Sequence, residues 1–579
     1  MALKRNSKLD SLDRVQVHSR EDWRAWLKKN HTRAEGIWLI TFKKHMEDKY
    51  VDYDAIVMGA GFGGIRTLYE LRNMGMSVKV LDGASDVGGA WYWNRYPGAR
   101  TDTESWAYCF SFSRELWEEW NWKERMPTWD QVVDYQRYVV DKFDMRKHME
   151  FNSRIASVVY DENRKIWTVR TENGKTYTCT YFISAVGLLT VAYDPPFKGL
   201  DTFKGQICIS SNWPKEPVDF TGKRVGIVGA GSTAVQILPT VAETAGHVSL
   251  FQRTPNYVLP GRNYPLSDAQ RTAIKRNFDK IWEQVRNQVF AFPMDRANRL
   301  FDECTPEEQQ RVFDAGWEAG GFRFVFETFD DITTNERANA AAAEYVRKKI
   351  RAVVKDPKTA ELLCPKYSFA IKRPPVSNFY YESFNRENVS LVDVKNDPIV
   401  EITPKGIRTE NNEYELDIII FAIGFDGVTG GLTHIDVRGK GGVSMKEKWG
   451  PGARTNLGIM VDDFPNMFIL CGPQSPFANV PPIHDAAVKW LAGAIQQSKA
   501  KGCHTVEPES QAVDKWTQHI QDLLNATLLG KGLDVGTWFL GANIPGKTPS
   551  VLFYFGGADN YLKELQKSID SKFEGFAFS

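Results

Sequence analysis

The sequence predicts an α/β protein with two Rossmann-like domains, an interrupted chain topology and a helical insertion. Two glycine-rich turns, residues 59–64 and 229–234, each lie between a short apolar strand and a helix. Strand, G-x-G-x-x-G or G-x-G-x-x-A turn, helix and second strand make up a dinucleotide-binding unit. Residues 265–370 carry helical patterns instead. Because 579 residues exceed the size of a single core, we expect two or three domains.

The first unit begins with the strand AIVM and reaches a turn that contains Gly59, Gly61 and Gly64. Gly59 allows the tight turn, and Gly61 lets the backbone approach a pyrophosphate at the helix N-terminus. Gly64 lets the helix pack closely on its strand. The next strand, SVKVL, ends at Asp82, whose carboxylate accepts hydrogen bonds from a ribose and repels a 2′-phosphate. This unit is therefore predicted to bind FAD or NAD.

The second unit has the strand RVGIV, a glycine turn and the strand HVSLF. Its candidate binding residues in the turn are Gly229, Gly231, Ser232 and Thr233. Arg253 and Thr254 stand where the first unit has its acid. An arginine at this place accommodates a 2′-phosphate, so the second unit is predicted to bind NADPH rather than NADH.

A motif rich in glycine and aromatic residues follows the first unit. It reads GGAWYWNRYPGARTD and contains Gly89, Trp91, Tyr96 and Asp102. Every specified position agrees with [AG]-G-x-W-x(4)-[FY]-P-[GM]-x(3)-D, and the chain resembles the Baeyer–Villiger monooxygenases, flavoproteins that insert one oxygen atom beside a ketone. The pair Lys372-Arg373 and a tail motif that begins at Trp538 extend the resemblance over roughly residues 50–579.

The resemblance implies two cofactors, FAD and NADPH, and two substrates, O₂ and a small-molecule ketone. It implies that a C4a-peroxyflavin attacks the carbonyl to give an ester or lactone. Arg373 would stabilise the peroxide and the adduct, and Asp102 would pair with Arg373 and orient it. Lys372 and Arg253 would hold the 2′-phosphate, and Trp538 would contact NADP and the substrate pocket.

One residue of the C-terminal half leaves its interpretation open. A helix is predicted to start near Pro481 and to carry His484 in its first turn. In the family architecture this N-terminus faces the flavin pyrimidine ring, where its dipole favours negative charge. A single histidine is more often a cap or a surface residue, so we assign His484 no role from the sequence.

Three positions depart from the family pattern. In F-x-G-x(3)-H-x(3)-W-[PD], Ile209 replaces the histidine, whereas Phe203, Gly205 and Trp213 keep their spacing. At the two predicted domain crossovers, Val186 and Ile423 replace the threonine of the usual A-T-G. In relatives this linker ties the conformational cycle to the bound NADP. We therefore expect oxygenation to be retained but its coupling to NADPH use to be altered.

The motifs divide the chain into interrupted domains. We expect an arm at 1–49, an FAD-binding domain at 50–185 and 415–579, an NADP-binding domain at 186–264 and 371–414, and a helical insertion at 265–370. The arm is expected to dock through its tryptophans. Two capping boxes, at Ser267 and Thr305, are predicted to start helices of the insertion.

Composition restricts partners and location. The net charge is +1, without a long run of like charge, so the sequence shows no basic patch that would bind nucleic acid or an anionic membrane. The seven cysteines are odd in number and lack a C-x-x-C motif, which is typical of reduced intracellular thiols. The N-terminus shows no apolar signal region and the longest apolar run is strand-length, so we expect a cytoplasmic protein. No metal site and no obligate protein partner are indicated.

Two other functions stay open at this point. A flavoprotein of this fold could act without inserting oxygen, as an NADPH oxidase or another flavin-dependent redox or isomerising enzyme. A redox-sensing binding protein that keeps its nucleotides only structurally is the third alternative. The sequence does not specify the ketone.

Overall fold

The structure, a computed structural model, describes residues 14–16, 20–33, 37–40 and 51–579. The first of its two main sheets has eight strands. In spatial order these are Asp436–Arg438, Ile155–Asp161, Ile166–Thr171, Thr176–Ser184, Tyr53–Met58, Val78–Leu81 and Met149–Glu150, with Met467–Ile469 also paired to Thr176–Ser184. Ile166–Thr171 and Thr176–Ser184 are antiparallel and form a hairpin around Gly174.

The second sheet has five parallel strands, in the order Gln206–Ile209, Ile418–Phe421, Arg224–Val228, His247–Gln252 and Val389–Asp393. This strand order disagrees with the expected boundary between the NADP-binding and FAD-binding domains at residue 415. Ile418–Phe421 lies between two strands of the second sheet, so the chain returns to the first sheet only after Phe421. An apolar run shows that a strand is buried but does not show which sheet buries it.

Two helices pack together beside the first sheet. Phe62–Asn73 follows the first glycine turn, and Val480–Ala500 begins where the two prolines predicted a helix. Arg66, which is 3% exposed, joins them because its Nε donates to Asp485 Oδ1 at 2.7 Å. The other helices of four or more residues outside the insertion are Arg20–Asn30, Ala90–Trp93, Arg114–Glu119, Trp129–Lys142, Ser232–Val241, Tyr380–Ser383, Gly430–Thr433, Met445–Lys448, Ser510–Asn525, Leu528–Val535 and Ala558–Asp570.

The segment predicted to be helical has six helices of four or more residues. They are Asp268–Arg276, Phe278–Asn287, Pro306–Ala319, Arg323–Phe326, Glu336–Val353 and Pro357–Leu363. Both predicted capping boxes are confirmed, because Ser267 and Thr305 each exchange hydrogen bonds with the third residue of their helix. An ion pair between Arg125 and Glu104, 2.9 Å from Nη2 to Oε1, is buried where this segment meets the aromatic region after the first glycine turn.

Short strand pairs complete the described part of the chain. Val191–Ala192 pairs with Phe425–Asp426, so the two crossovers between the main sheets form an antiparallel ribbon, here called the crossover ribbon. The other small sheets are Ile399–Thr403 with Gly406–Thr409 and Glu413–Glu415; Leu259–Pro260 with Val376–Ser377; Ser475–Pro476 with Phe553–Tyr554; and Val506–Pro508 with Phe576–Phe578. Among the residues that the structure describes, no helix is long and apolar enough to cross a membrane.

The predicted arm contributes a helix, Arg20–Asn30, and the parallel pair Arg14–Gln16 and Trp38–Ile40. The sequence also predicts a strand from Gly36 to Phe42, of which the structure describes Trp38–Ile40; Gly36, Thr41 and Phe42 lie outside the described residues. Trp23 and Trp26 stack on each other at 5.3 Å. Contact with the first Rossmann unit runs through Arg24, whose Nη1 donates to the carbonyl of Gly75 at 3.3 Å.

Candidate functional site

A large cavity, of about 1420 Å³, lies between the two main sheets. Both glycine turns and residues of the helical segment line it. Every candidate site residue named from the sequence lines this cavity, apart from Gly64, which lies behind the first turn. Ligand sites in open parallel sheets lie at the carboxyl ends of the strands, which is where both glycine turns stand.

The backbone of the first glycine turn leaves no room for side chains. Gly59 has φ +107°, and a Cβ there would lie 2.5 Å from the carbonyl oxygen of Ala185. A Cβ on Gly64 would lie 1.8 Å from the carbonyl oxygen of Gly59. Gly61 and Gly89 face each other, with a Cβ on Gly89 only 2.8 Å from Gly61 Cα. Two bare backbones therefore border the cavity at the N-terminus of Phe62–Asn73, and such a cradle fits a pyrophosphate.

Asp82 stands at the end of its strand, as predicted. Its two carboxylate oxygens accept from the backbone N–H groups of Ala60, at 2.6 Å, and Ala84, at 2.7 Å. Burial raises its pKa, although both hydrogen bonds oppose that shift. A carboxylate has further lone pairs, so the same group can still accept from a ribose.

The aromatic residues of the GGAWYW motif are held by hydrogen bonds. Trp91 Nε1 donates to the hydroxyl of Tyr108 at 3.1 Å. The Tyr96 hydroxyl donates to Gln236 Oε1 at 3.0 Å, on the helix that follows the second glycine turn. The motif thus connects the two nucleotide-binding units.

The second glycine turn repeats the geometry of the first. Gly229 has φ +122°, and a Cβ there would lie 2.3 Å from the carbonyl oxygen of Ala422. A Cβ on Gly231 would project into open space, with no atom of the described chain within 4 Å. Ser232 begins the helix Ser232–Val241, and Thr233 follows it on the cavity wall.

Arg373 lies at the meeting point of the parts that surround the cavity. Its guanidinium forms an ion pair with Asp102 and donates from Nη1 to Ser232 Oγ at 3.2 Å. Its Cζ lies 5.2 Å from the ring centroid of Phe322, in the helical segment. Burial lowers the pKa of Arg373 to about 10, which still leaves the guanidinium charged at neutral pH.

Lys372 and Arg253 line the cavity beyond the second glycine turn. Burial lowers the pKa of Lys372 to about 8, and the positive charge of Arg253 adds to that shift. Two cations that repel each other at a cavity wall fit an anion that contacts both, such as a phosphate.

An aromatic wall encloses the side of the cavity next to Arg373. Phe477 is at its centre, 5.9 Å from Phe290, 5.7 Å from Trp538 and 5.2 Å from Phe553 between ring centroids. Phe290 in turn packs on Phe326 at 4.4 Å. Rings from the helical segment and from the C-terminal part of the chain therefore form one apolar surface.

Comparison with known proteins decides the family. Residues 53–297 match the flavin-binding monooxygenase-like family model, and residues 15–66 match a domain of unknown function. A Baeyer–Villiger monooxygenase from Pseudooceanicola batsensis is 46% identical over 513 residues, which cover 88% of this chain and 93% of the relative. The chain belongs to the Baeyer–Villiger monooxygenases.

Further relatives support this assignment. Cyclohexanone 1,2-monooxygenase from an Acinetobacter species is 41% identical over 91% of this chain and 96% of its own. The crystal structure of cyclohexanone monooxygenase from Rhodococcus sp. Phi1 bound to NADP⁺ superposes with a TM-score of 0.89 and 41% identity. That comparison covers 91% of this chain and 99% of the crystallised one.

The predicted fold class, family, enzyme class and cofactors are thus confirmed. The protein is an FAD- and NADPH-dependent flavin monooxygenase of the Baeyer–Villiger type. The comparisons therefore favour an oxygen-inserting enzyme over the two alternatives that the sequence left open, an oxidase and a redox-sensing binding protein.

The departures of this Baeyer–Villiger monooxygenase from the family pattern cluster around the crossovers. Ile209 ends its strand opposite Phe421, the last residue of the strand that leads into the second crossover. Val186 and Ile423 both line the cavity, next to the crossover ribbon. The three substitutions therefore share one region, although they lie far apart in sequence.

Several residues of the site escaped the sequence analysis. Gln236, Phe322 and Phe290 belong to no motif, and only their contacts with Tyr96, Arg373 and Phe477 reveal them. His484 is neither a surface residue nor a cap, since it is 6% exposed and lines the cavity. The sequence predicted it in the first turn of a helix, whereas it is the fifth residue of Val480–Ala500, in the second turn. Neither position indicates burial.

Proposed function

We propose that this monooxygenase converts apolar ketones, cyclic or aryl-substituted, into lactones or esters at the junction around Arg373. The single observation that carries the proposal is the set of contacts of this guanidinium. Asp102 from the first unit, Ser232 from the second glycine turn and Phe322 from the helical segment all reach it. One cation thus faces the place where both cofactors and the substrate would meet.

In this proposal FAD occupies the first glycine turn and NADPH the second. Gly59, Gly61, Gly64, Gly89 and Asp82 form the first cradle, with Trp91, Tyr96 and Asp102 beside it. Gly229, Gly231, Ser232, Thr233, Arg253, Thr254, Lys372, Arg373 and Trp538 form the second. When bound, FAD supplies the activation of O₂ and NADPH supplies the hydride.

The role proposed for Arg373 is electrostatic. A half-buried guanidinium held by Asp102 and Ser232 keeps its position and charge, so little reorganisation is needed when negative charge develops on oxygen near it. Asp102 acts as a positioning residue, because its carboxylate fixes the guanidinium through the ion pair. The aromatic wall excludes water, which strengthens this interaction.

The substrate class follows from that wall. Phe290, Phe326, Phe477 and Phe553 offer ring surfaces, and Trp538 closes the group. Such a surface favours a ring or another bulky apolar group beside the carbonyl. Similar solved structures include cyclohexanone monooxygenases and a steroid monooxygenase bound to NADP, and both names are compatible with an apolar ring.

We also propose domain boundaries and a location. The FAD-binding domain comprises residues 50–185 and 422–579, and the NADP-binding domain 186–264 and 371–421, with 265–370 as the insertion and 1–49 as the arm. The shift from 415 to 422 follows the pairing of Ile418–Phe421. A cytoplasmic location is supported by the seven cysteines, all of which are free thiols.

One experiment tests the proposal. NADPH consumption, H₂O₂ release and ketone loss are followed together for a panel of cyclic, aryl and linear ketones. We expect NADPH use coupled to loss of cyclic or aryl ketones, with less conversion of short linear ones. NADPH use that yields only H₂O₂ with every ketone would instead support an oxidase, and equal conversion of small linear ketones would contradict the substrate class.

A further inference from the structure

A buried histidine, His484, lies in the cavity wall beside the first glycine turn. The residue is 6% exposed, and its Nδ1 has no hydrogen-bond partner among the described residues. Its Nε2 lies 3.1 Å from the position that a Cβ on Gly63 would take. Nδ1 is sealed from the cavity, so Nε2, which also has no hydrogen-bond partner in the described chain, is the nitrogen that a group in the cavity can reach. Because buried polar groups are nearly always hydrogen-bonded, this nitrogen indicates a partner that is not part of the chain.

The surroundings of His484 favour a partner with oxygen atoms that carry negative charge. The helices Phe62–Asn73 and Val480–Ala500 converge here, and the Arg66–Asp485 pair joins their second turns. Each helix N-terminus carries partial positive charge and unsatisfied N–H groups. Together they form an environment suited to an anion, and the imidazole adds a directional hydrogen-bonding group.

The protonation state of His484 agrees with such a role. Burial lowers its pKa to about 4, so the imidazole is neutral at physiological pH. A neutral imidazole has one N–H donor and one acceptor nitrogen. It can therefore donate to an oxygen of a ligand without placing a charge among buried apolar side chains such as Leu470, which also packs against Gly63.

We propose that His484 is an FAD ligand, whose ring donates a hydrogen bond to an oxygen of the ribityl–pyrophosphate segment beside Gly63. The inference rests on the proposed assignment of FAD to the first glycine turn. That turn places the pyrophosphate at the N-terminus of Phe62–Asn73. Gly63 lies in the first turn of that helix and has no side chain, so the imidazole borders the same surface as the cofactor backbone.

Binding of FAD to the apoprotein tests the inference, with recovery of holoprotein absorbance and quenching of flavin fluorescence as readouts. His484→Leu keeps bulk and helix propensity but removes the donor. We expect its FAD Kd to rise by more than about twofold for a ribityl oxygen and by about tenfold or more for a charged pyrophosphate oxygen. His484→Gln keeps an N–H donor and should recover part of this loss.

His434→Leu is the matched control. His434 also lines the cavity, but it belongs to the crossover region, and its Nδ1 is already 3.0 Å from the carbonyl oxygen of Gly430. We expect this variant to bind FAD with unchanged affinity. An FAD Kd for His484→Leu that stays within about twofold of the unmutated protein would overturn the inference, since even a weak hydrogen bond contributes more than that.

A second measurement does not depend on the folding of any leucine variant. In ¹⁵N-histidine-labelled protein, with nine histidines in the chain, the resonance that is missing in His484→Gln belongs to His484. We expect FAD to shift this resonance in the unmutated apoprotein, and no shift on saturation contradicts contact. Gly61→Leu distinguishes failure of this inference from failure of the FAD assignment. Loss of FAD in Gly61→Leu, with tight FAD binding in His484→Leu, would exclude only the role of His484. Full FAD occupancy in both variants would also exclude the assignment of FAD to the first glycine turn.

Discussion

At the scale of single residues, the proposed chemistry of this monooxygenase depends on cations that line the cavity. Arg373 has an acid partner, Asp102, which holds it in place. Lys372 has no acid partner among the described residues and instead faces the charge of Arg253. The first arrangement favours a fixed, permanently charged group, and the second favours a site that an anion completes.

Removal of the Arg373 guanidinium tests its proposed role. We expect Arg373→Ala to keep FAD, because the residue lies outside the first glycine turn, and to lose oxygenated product by about 100-fold or more. Reduction of the flavin by NADPH should survive in part. Stopped-flow reduction and product analysis measure the two steps separately, and product formation near the parent rate would exclude Arg373 from the mechanism.

The pKa of Lys372 predicts how NADPH binding depends on pH. The ammonium is charged below about pH 8 in the free enzyme and loses its charge above it. A 2′-phosphate binds the charged form, so the KM for NADPH should rise as pH increases through about 8, whereas the KM for NADH should not. In Lys372→Met we expect a higher KM for NADPH and no step at this pH. An identical pH profile for both nicotinamides would disprove the assignment.

At the scale of elements, each glycine turn depends on the absence of side chains, because backbone atoms lie in the space that a side chain would need. The backbone of Gly61 lies close to that of Gly89, which belongs to a separate segment. The two crossovers also depend on a pair of separate segments, since Val191–Ala192 and Phe425–Asp426 form one ribbon. Elements distant in sequence therefore act as pairs.

A bulky side chain in the first turn tests the FAD cradle. Gly61→Leu should purify with little or no FAD, because its side chain would enter the space between two backbones that is reserved for the pyrophosphate. Gly530→Ala is a suitable control, since the nearest atom to its new Cβ is Leu524 Cγ at 4.0 Å. The ratio of flavin absorbance to protein absorbance measures occupancy, and full occupancy in Gly61→Leu would show that FAD binds elsewhere.

Restoration of the family histidine tests the crossover region. Ile209 cannot titrate or donate, so Ile209→His adds a polar group next to the strand that enters the second crossover. We expect the ratio of oxygenated product to H₂O₂ to change by more than the rate of flavin reduction does. Simultaneous assay of product, H₂O₂ and NADPH measures this ratio. Full coupling in the unmutated protein, unchanged in the variant, would refute the explanation.

At the scale of the whole molecule, the helical segment must stay attached to the first unit for the aromatic wall to close. Arg125, which is 4% exposed, serves this purpose by contacting Glu104 and the carbonyl oxygens of Arg262 and Ala319. These contacts connect the region after the first glycine turn to Arg262, just before the insertion, and to the C-terminal end of the helix Pro306–Ala319.

The attachment can be tested with a substitution that keeps the volume of Arg125. Arg125→Met removes the close partner of the fully buried Glu104 carboxylate and leaves it only Arg323, 3.9 Å from Nη2 to Oε1. Breaking such a pair lowers the free energy of unfolding by about 3–5 kcal/mol. Denaturant unfolding of the holoenzyme measures the loss. The control Arg262→Met removes only an exposed pair with Glu318, and we expect a change below about 1 kcal/mol.

The sequence by itself determined the parts of this protein that depend on local backbone geometry. Both glycine turns, the acid at Asp82, the arginine at 253 and the two capping boxes follow from residues adjacent in the chain. Close backbone approach and helix initiation require particular residue types at fixed spacing, so both features can be predicted from the sequence.

Only the tertiary structure decided which distant segments meet. It moved Ile418–Phe421 into the second sheet, brought Phe322 to Arg373 and buried His484 beside Gly63. A strand that is apolar on both faces fits either sheet, and an aromatic residue in a helix fits any core. The partners of such residues depend on long-range packing, because their own physical chemistry specifies burial without specifying the neighbour.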